Sequence, residues 1–237
     1  MRIIILKKKQ LVYFFIIGTI LILALLFAGN KKISVFQTSS IREPIRNGDP
    51  ATKKMAITCN VDWGNEVIPE MLNILDKEEI KITFFVTGRW ASEYPELLLE
   101  IYKRGHEIGN HGYNHKVHSK MNQQENYLEI KKTEESIEKA LGIKPRYFAP
   151  PSGDYGKETL AAAQALGYQT ILWSIDTIDW KEGSTSEVIL NRVMKKSHAG
   201  AILLMHPKSE TVKALPRIFV CIQAEGITLG TISYLLE

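Results

Sequence analysis

His111 and His115 stand at positions i and i+4 in His111-Gly-Tyr-Asn-His115. That spacing lets two imidazoles point the same way from one helical turn, and imidazole nitrogen suits zinc and similar metals. Two surface histidines would give the same pattern. Asp62, in Thr58-Cys-Asn-Val-Asp-Trp-Gly64, is the candidate third ligand. Two histidines, one carboxylate and an open position for water make the usual catalytic zinc set. A turn or helix-cap aspartate before Val67 is the plainer role for Asp62. Asn60 reads as an inward polar residue on a strand, or as a satisfied core amide. His206 follows the apolar run Ala201–Met205 and has the chemistry of a general acid, or of a buried histidine with a backbone partner. Asp176 and Asp179 lie in Asp176-Thr-Ile-Asp-Trp180, and a carboxylate beside an imidazole orients it. Trp180 and the segment Tyr147–Pro151 offer apolar walls on which sugar rings stack, although core packing would also account for each aromatic.

These residues need elements to position them. Met55–Val61 and the β-branched and aromatic Ile82–Thr87 read as buried strands, as do Glu107–Gly109, Tyr147–Ala149, Thr170–Trp173 and Ala201–Met205. Helical spacing marks Val67–Leu75, Pro95–Arg104, Asn122–Leu141, Lys157–Leu166 and Pro216–Ala224. Tyr127, Ile130, Ile137 and Leu141 share one face of Asn122–Leu141, and Gly142 stops it. Ser184 and Glu187 form a capping-box pattern before a helix running to about Lys196. Strands alternating with helices imply an α/β fold with parallel pairing. A doubly wound sheet and a barrel both fit. Asp62, His111, the pair Asp176 and Asp179, and His206 fall after four separate strands, which favours a barrel with one site at the strand ends.

The chain carries 30 basic and 26 acidic residues. Arg2, Lys7, Lys8 and Lys9 precede the uncharged run Leu11–Ala28, leaving 26 of each sign in the remainder. The pI of about 8.9 therefore reflects the N-terminus, and no basic patch interleaved with aromatics indicates nucleic acid. Basic flank and apolar run together predict a single transmembrane helix with everything beyond residue 30 outside the cytoplasm. A cleaved signal peptide is the rival, though its apolar stretch is usually shorter. The expected organisation is 1–30 flank and anchor, 31–52 linker, and 53–237 one domain. Cys59 and Cys221 sit in apolar surroundings, as two buried thiols or a disulfide, and lack the close pairing of a zinc-cysteine motif.

Taken in order, TCNVDWG, HGYNH, APPSG, DTIDW and LLMH resemble the motifs of the polysaccharide deacetylases, the NodB-like carbohydrate esterases. That family's pattern runs T-F-D-D-G, H-S/T-x-x-H, R-x-P-Y, D-x-x-D/N-W and L-x-x-H. The resemblance covers nearly all of residues 53–237, and TFFVTGRWA and GHEIGNHGY add to it. It implies a distorted (β/α) barrel and a divalent metal, commonly zinc, held by one Asp and two His. The metal would activate water to remove acetyl from an N- or O-acetylated sugar. It further implies His111 and His115 as metal ligands, His206 protonating the leaving amine, and Asp176 as its supporting carboxylate. Asp179 and Trp180 complete that motif, Leu203 lines an acetyl pocket, and Pro151 falls in the third motif.

Two departures stand out. An ungapped match from Thr58 puts Asn60 at the base Asp and Val61 at the metal Asp. Sliding by one puts Asp62 at the metal position and Val61 at the base. Either way one acid is missing. The family's third-motif arginine falls at Ala149 and its tyrosine at Ser152. The losses are linked, because an arginine facing no base carboxylate would be a costly unpaired buried charge. Asn60 cannot take a proton, and general-base help is typically worth 10²–10⁴-fold. The sequence thus predicts a membrane-anchored, metal-dependent deacetylase of peptidoglycan or a chitin-like glycan at the cell wall, slower by up to that factor. The competing expectation is a polysaccharide-binding barrel that lost its base. A sporulation role is an association the resemblance carries.

Overall fold

The computed structural model describes Thr19 and Ser40–Glu237. Apart from Thr19, the expected span Leu11–Ala28 lies outside the described residues. Among these residues no helix is long and apolar enough to cross a membrane.

Among the described residues eight strands form one sheet: β1 (Lys54–Val61), β2 (Thr83–Val86), β3 (Glu107–Asn110), β4 (Tyr147–Phe148), β5 (Gln169–Thr170), β6 (Ile175–Asp176), β7 (Ile202–Met205) and β8 (Thr228–Gly230). Their order is β5-β4-β3-β2-β1-β7-β6, with β8 also on β1, and every pairing is parallel. The sheet curls into the distorted α/β barrel expected. Helices α1 (Ile68–Lys77), α2 (Gly88–Glu93), α3 (Pro95–Lys103), α4 (Gln123–Leu141), α5 (Lys157–Ala165), α6 (Ser186–Lys196), α7 (Ser209–Ala224) and α8 (Ile232–Leu236) follow or separate the strands.

The two-residue period of the strands divides the core. On β1, Met55, Ile57, Cys59 and Val61 enter the main layer with Leu72, Leu98 and Phe219 from the helices. Ala56 turns the other way, to Phe85, Ile171 and Ile202 inside the curl. Buried side chains on both faces explain why these strands read as continuous apolar runs. Cys59 is buried and Cys221 half-buried, both as free thiols.

Several boundaries differ from expectation. Thr170–Trp173 is not one strand. Ile171 N–H bonds Phe148 on the β4 side, whereas Ser174 N–H bonds Ile202 on β7. The chain thus crosses the mouth of the curl between its two edge strands, and β6 begins only afterwards. Ser184 does not cap α6. Its hydroxyl donates to Ile178 C=O at 2.8 Å, and the next residue, Thr185, accepts from Val188 N–H instead. The last long helix starts at Ser209, with Pro216 inside it. Buried Thr211, Val212, Ala214 and Leu215 hold its first turns despite the missing donor. The C-terminal half of the expected linker belongs to the barrel, because Ile45 bridges Ile171 and Asn47 bridges Ala201. Asn122–Leu141 forms as read, with Asn122 and Glu125 in a reciprocal capping box and Gly142 at φ 70°.

Candidate functional site

A cavity of about 450 Å³ opens at the carboxyl ends of the strands. Strand alternation decides which residues enter it. Asn60 and Asp62 both line the cavity, while Val61, between them, is fully buried against the helices. Neither proposed register of the first motif therefore stands as written, since Val61 cannot serve as ligand or base. The pair facing the cavity is Asn60 and Asp62. The same period operates on β7. Leu203 was expected at the acetyl pocket, but it packs among the helices, and Leu204 and His206 face the cavity. Ser152 lines the wall expected of Pro151.

His111 directly follows β3 and is buried. Its Nδ1–H donates to the Ala149 carbonyl at 2.7 Å, which leaves Nε2 as the nitrogen that can ligate. Burial, with His115 alongside, pushes the His111 imidazole down to about 3. The two rings meet edge-on with centroids 5.3 Å apart. His115 reaches this position with φ 53°, outside any helix. Its loop is gripped from α4: Glu129 accepts from Tyr113 N–H at 3.1 Å and Asn114 N–H at 2.8 Å, and pairs with Lys116.

Asp62 is already committed. Thr87 Oγ1–H donates to its Oδ1 at 2.8 Å, and Arg89 donates from Nε to Oδ1 at 2.8 Å and from Nη2 to Oδ2. Burial raises the Asp62 carboxyl, but the Arg89 and Thr87 bonds and the Arg89 charge hold it below the usual carboxylate range. Among the described residues no three His, Cys, Asp or Glu side chains converge as a ligand set. With both Asp62 oxygens bonded to Arg89, the residues present do not fit the expected three-ligand metal centre. Nothing in the sequence pointed to Arg89. Register supplies it: Val61 pairs with Val86, so Asp62 faces Thr87 at the start of α2, and Arg89 follows two residues on.

His206 is held by Asp179. Asp179 Oδ1 lies 2.8 Å from His206 Nδ1, and Oδ2 accepts from the His206 amide at 2.8 Å and from Thr211 Oγ1–H at 2.7 Å. The supporting carboxylate expected at Asp176 is thus Asp179. Burial alone would raise the Asp179 carboxyl, yet these bonds and the His206 charge bring it below its ordinary value. Asp176 lines the cavity and accepts from Ile178 N–H at 2.7 Å. Burial pushes its carboxyl up. Ile178 takes φ 51°, a strained setting for a β-branched residue. Arg192 pins this turn by donating to the Thr177 and Ile178 carbonyls, both at 3.0 Å.

Trp63, Trp173 and Trp180 complete the walls. Trp63 stacks on His206 at 5.9 Å and 13°, and Trp180 is 57% exposed. Buried Asn60 Oδ1 has no hydrogen-bond partner among the described residues, a cost that an incoming donor would relieve.

This geometry agrees with what known proteins show. The polysaccharide deacetylase family model matches residues 47–171. The uncharacterized protein YlxY of Bacillus subtilis is 41% identical over 87% of this chain, which spans 64% of that relative's length. A peptidoglycan-N-acetylglucosamine deacetylase of Bacillus cereus is 32% identical, with 78% of this chain and 68% of the relative covered. Among solved structures, a CE4 family pseudoenzyme from Bacillus anthracis superposes with TM-score 0.80 at 41% identity, covering 82% of this chain and 69% of its own. A mutant of that pseudoenzyme, described as having restored enzymatic activity, superposes equally. Enzymes of the family are generally metal-dependent hydrolases. Motif order, parallel barrel and strand-end cleft together make this chain a member of the polysaccharide deacetylase family.

Proposed function

We propose that the cleft binds an N- or O-acetylated polysaccharide of the peptidoglycan or chitin-like type, and that deacetylation there is weakened or lost. The observation that carries this reading is Asn60. It occupies the cavity face where the family's base carboxylate is expected, buried, and its Oδ1 has no hydrogen-bond partner among the described residues. An amide cannot take the proton from an attacking water. The likeness to a relative described as a pseudoenzyme supports the same conclusion. The exposed Trp180 gives sugar rings a flat apolar face, and Asn60 and His206 give polar partners for an acetamido group. A span at Leu11–Ala28 would hold this cleft outside the membrane beside the wall; a sporulation role belongs to the same proposal.

The intact His206–Asp179 pair favours a second reading, metal-dependent acetyl removal with His206 as general acid. Zinc is the metal that the two imidazoles suit best, with Asp62 as the expected third ligand, which Arg89 holds instead.

Both readings are tested on the full chain in detergent, by binding of N-acetylglucosamine oligomers and peptidoglycan fragments and by acetate release. Glycan binding that Trp180→Ala weakens about tenfold, with acetate release absent or marginal, supports the first. Turnover abolished by His206→Ala supports the second. Neither binding nor release on any acetylated glycan overturns both.

A further inference from the structure

We infer that Arg89 is a built-in cation for the site: its guanidinium takes the place beside Asp62 that a metal would need, and the cleft holds its glycan without one. The glycan clause rests on the function proposed above; the Arg89 clause does not.

The fold builds this contact from several directions. Thr87 caps α2, accepting from Trp90 N–H at 3.4 Å while donating to Asp62. Arg89 therefore starts from a fixed helical turn. Its backbone is also tied to the histidine loop, since Gly88 N–H bonds Gly112 C=O at 3.0 Å and Arg89 N–H bonds Tyr113 C=O at 3.2 Å. Gly88 is needed for this approach, because a Cβ there would lie 2.3 Å from the Tyr113 ring and 2.9 Å from Thr133. The segment carrying Arg89 and the loop carrying His111 and His115 thus form one hydrogen-bonded unit around Asp62.

The pairing is of the bidentate kind that arginine makes well, with both carboxylate oxygens engaged. Asp62 is 10% exposed at its side chain and Arg89 51%. The carboxylate is sheltered and the guanidinium arrives from outside. A divalent ion ligated by Asp62 would have to displace Arg89, and it would then lie near an arginine that no longer has its partner. Like charges at such range oppose binding. Arginine stays protonated at every accessible pH, so this cation, unlike a metal, is not lost to chelators or acid.

The test titrates the full chain with zinc chloride alone and measures affinity calorimetrically, for the native chain, Arg89→Ala and Arg89→Gln. Releasing Asp62 is expected to tighten zinc binding at least tenfold, and the gain should vanish when Asp62→Ala is added. Arg89→Gln keeps the aliphatic stem and serves if the alanine variant is poorly folded by circular dichroism. Equal zinc affinity in the native and Arg89 variants would overturn the inference. Affinity for N-acetylglucosamine oligomers is expected to be unchanged by EDTA, and a tenfold drop would overturn the metal-free clause. Absence of glycan binding in every variant would sink the proposed function, and the zinc comparison would still decide the role of Arg89.

Discussion

The Asp179 carboxylate grips His206 twice, through the imidazole Nδ1 and through the backbone amide, each at 2.8 Å. Side chain and main chain of the same residue are thereby fixed at the end of β7. Asp179→Asn leaves one oxygen for three donors. The expected cost is about 2–4 kcal/mol of stability, read as a fall of roughly 5–15 °C in Tm. The carboxyl is held below its unfolded value, so its contribution is complete above about pH 4 and is lost as pH falls through the lowered folded value. The difference between native and variant Tm should be flat at neutral pH and shrink only in more acidic buffer. A difference that shrinks already at pH 6 would contradict this account.

His106 gives an acid response in a higher window. It is 2% exposed, accepts from Ile82 N–H at 3.2 Å, and is pushed down by burial to about 4. The unfolded histidine takes a proton near pH 6.5, well before the folded one does. Stability is therefore full above about pH 6.5 and falls between 6.5 and 4, by about 3 kcal/mol from this residue. Urea midpoints of His106→Gln measured across that window should fall less steeply than those of the native chain. Parallel slopes would remove His106 from the acid response.

Arg192 should matter to the cleft without entering it. It ties the Thr177 and Ile178 carbonyls and Ser184 Oγ, holding the strained turn that delivers Asp179. Arg192→Met is expected to destabilise by about 2–3 kcal/mol and to weaken glycan binding, while the buried layer around β1 keeps its amide protection. Hydrogen exchange localised to residues 176–184 is the decisive measurement, and unfolding spread over the whole barrel would count against it.

Asn60→Asp tests the proposal that the cleft lacks its base. With Arg89 in place the new carboxylate would share the cavity with an Asp62 still bonded to that arginine. The single change is expected to raise acetate release little. Asn60→Asp with Arg89→Ala should raise it by about 10²-fold or more, the scale of general-base help. Equal turnover in the single and double variants would mean that Arg89 does not limit the reaction.

Much of this was legible in the chain itself. Apolar runs such as Ala201–Met205 and ITFFVT are buried on both faces, and the capping signals at Asn122 and Gly142 act through neighbours in sequence. Local chemistry therefore determined the strand–helix alternation and the parallel pairing, and the motif resemblance added the barrel and a site at the strand ends containing His111, His115 and His206. It also determined that position 60 carries an amide, so no carboxylate can act from that place in any fold.

Only the tertiary structure decided which of two adjacent residues faces the cleft. Strand direction alternates residue by residue, and a motif read without its register cannot separate Val61 from Asp62 or Leu203 from Leu204. Contacts distant in sequence were equally hidden. Asp179 and His206 meet across 27 positions, and Asp62 and Arg89 across 27, and each pairing depends on which strands lie side by side. The expected ligand Asp62 is thus present in the sequence, and the parallel pairing of β1 with β2 hands it to an arginine.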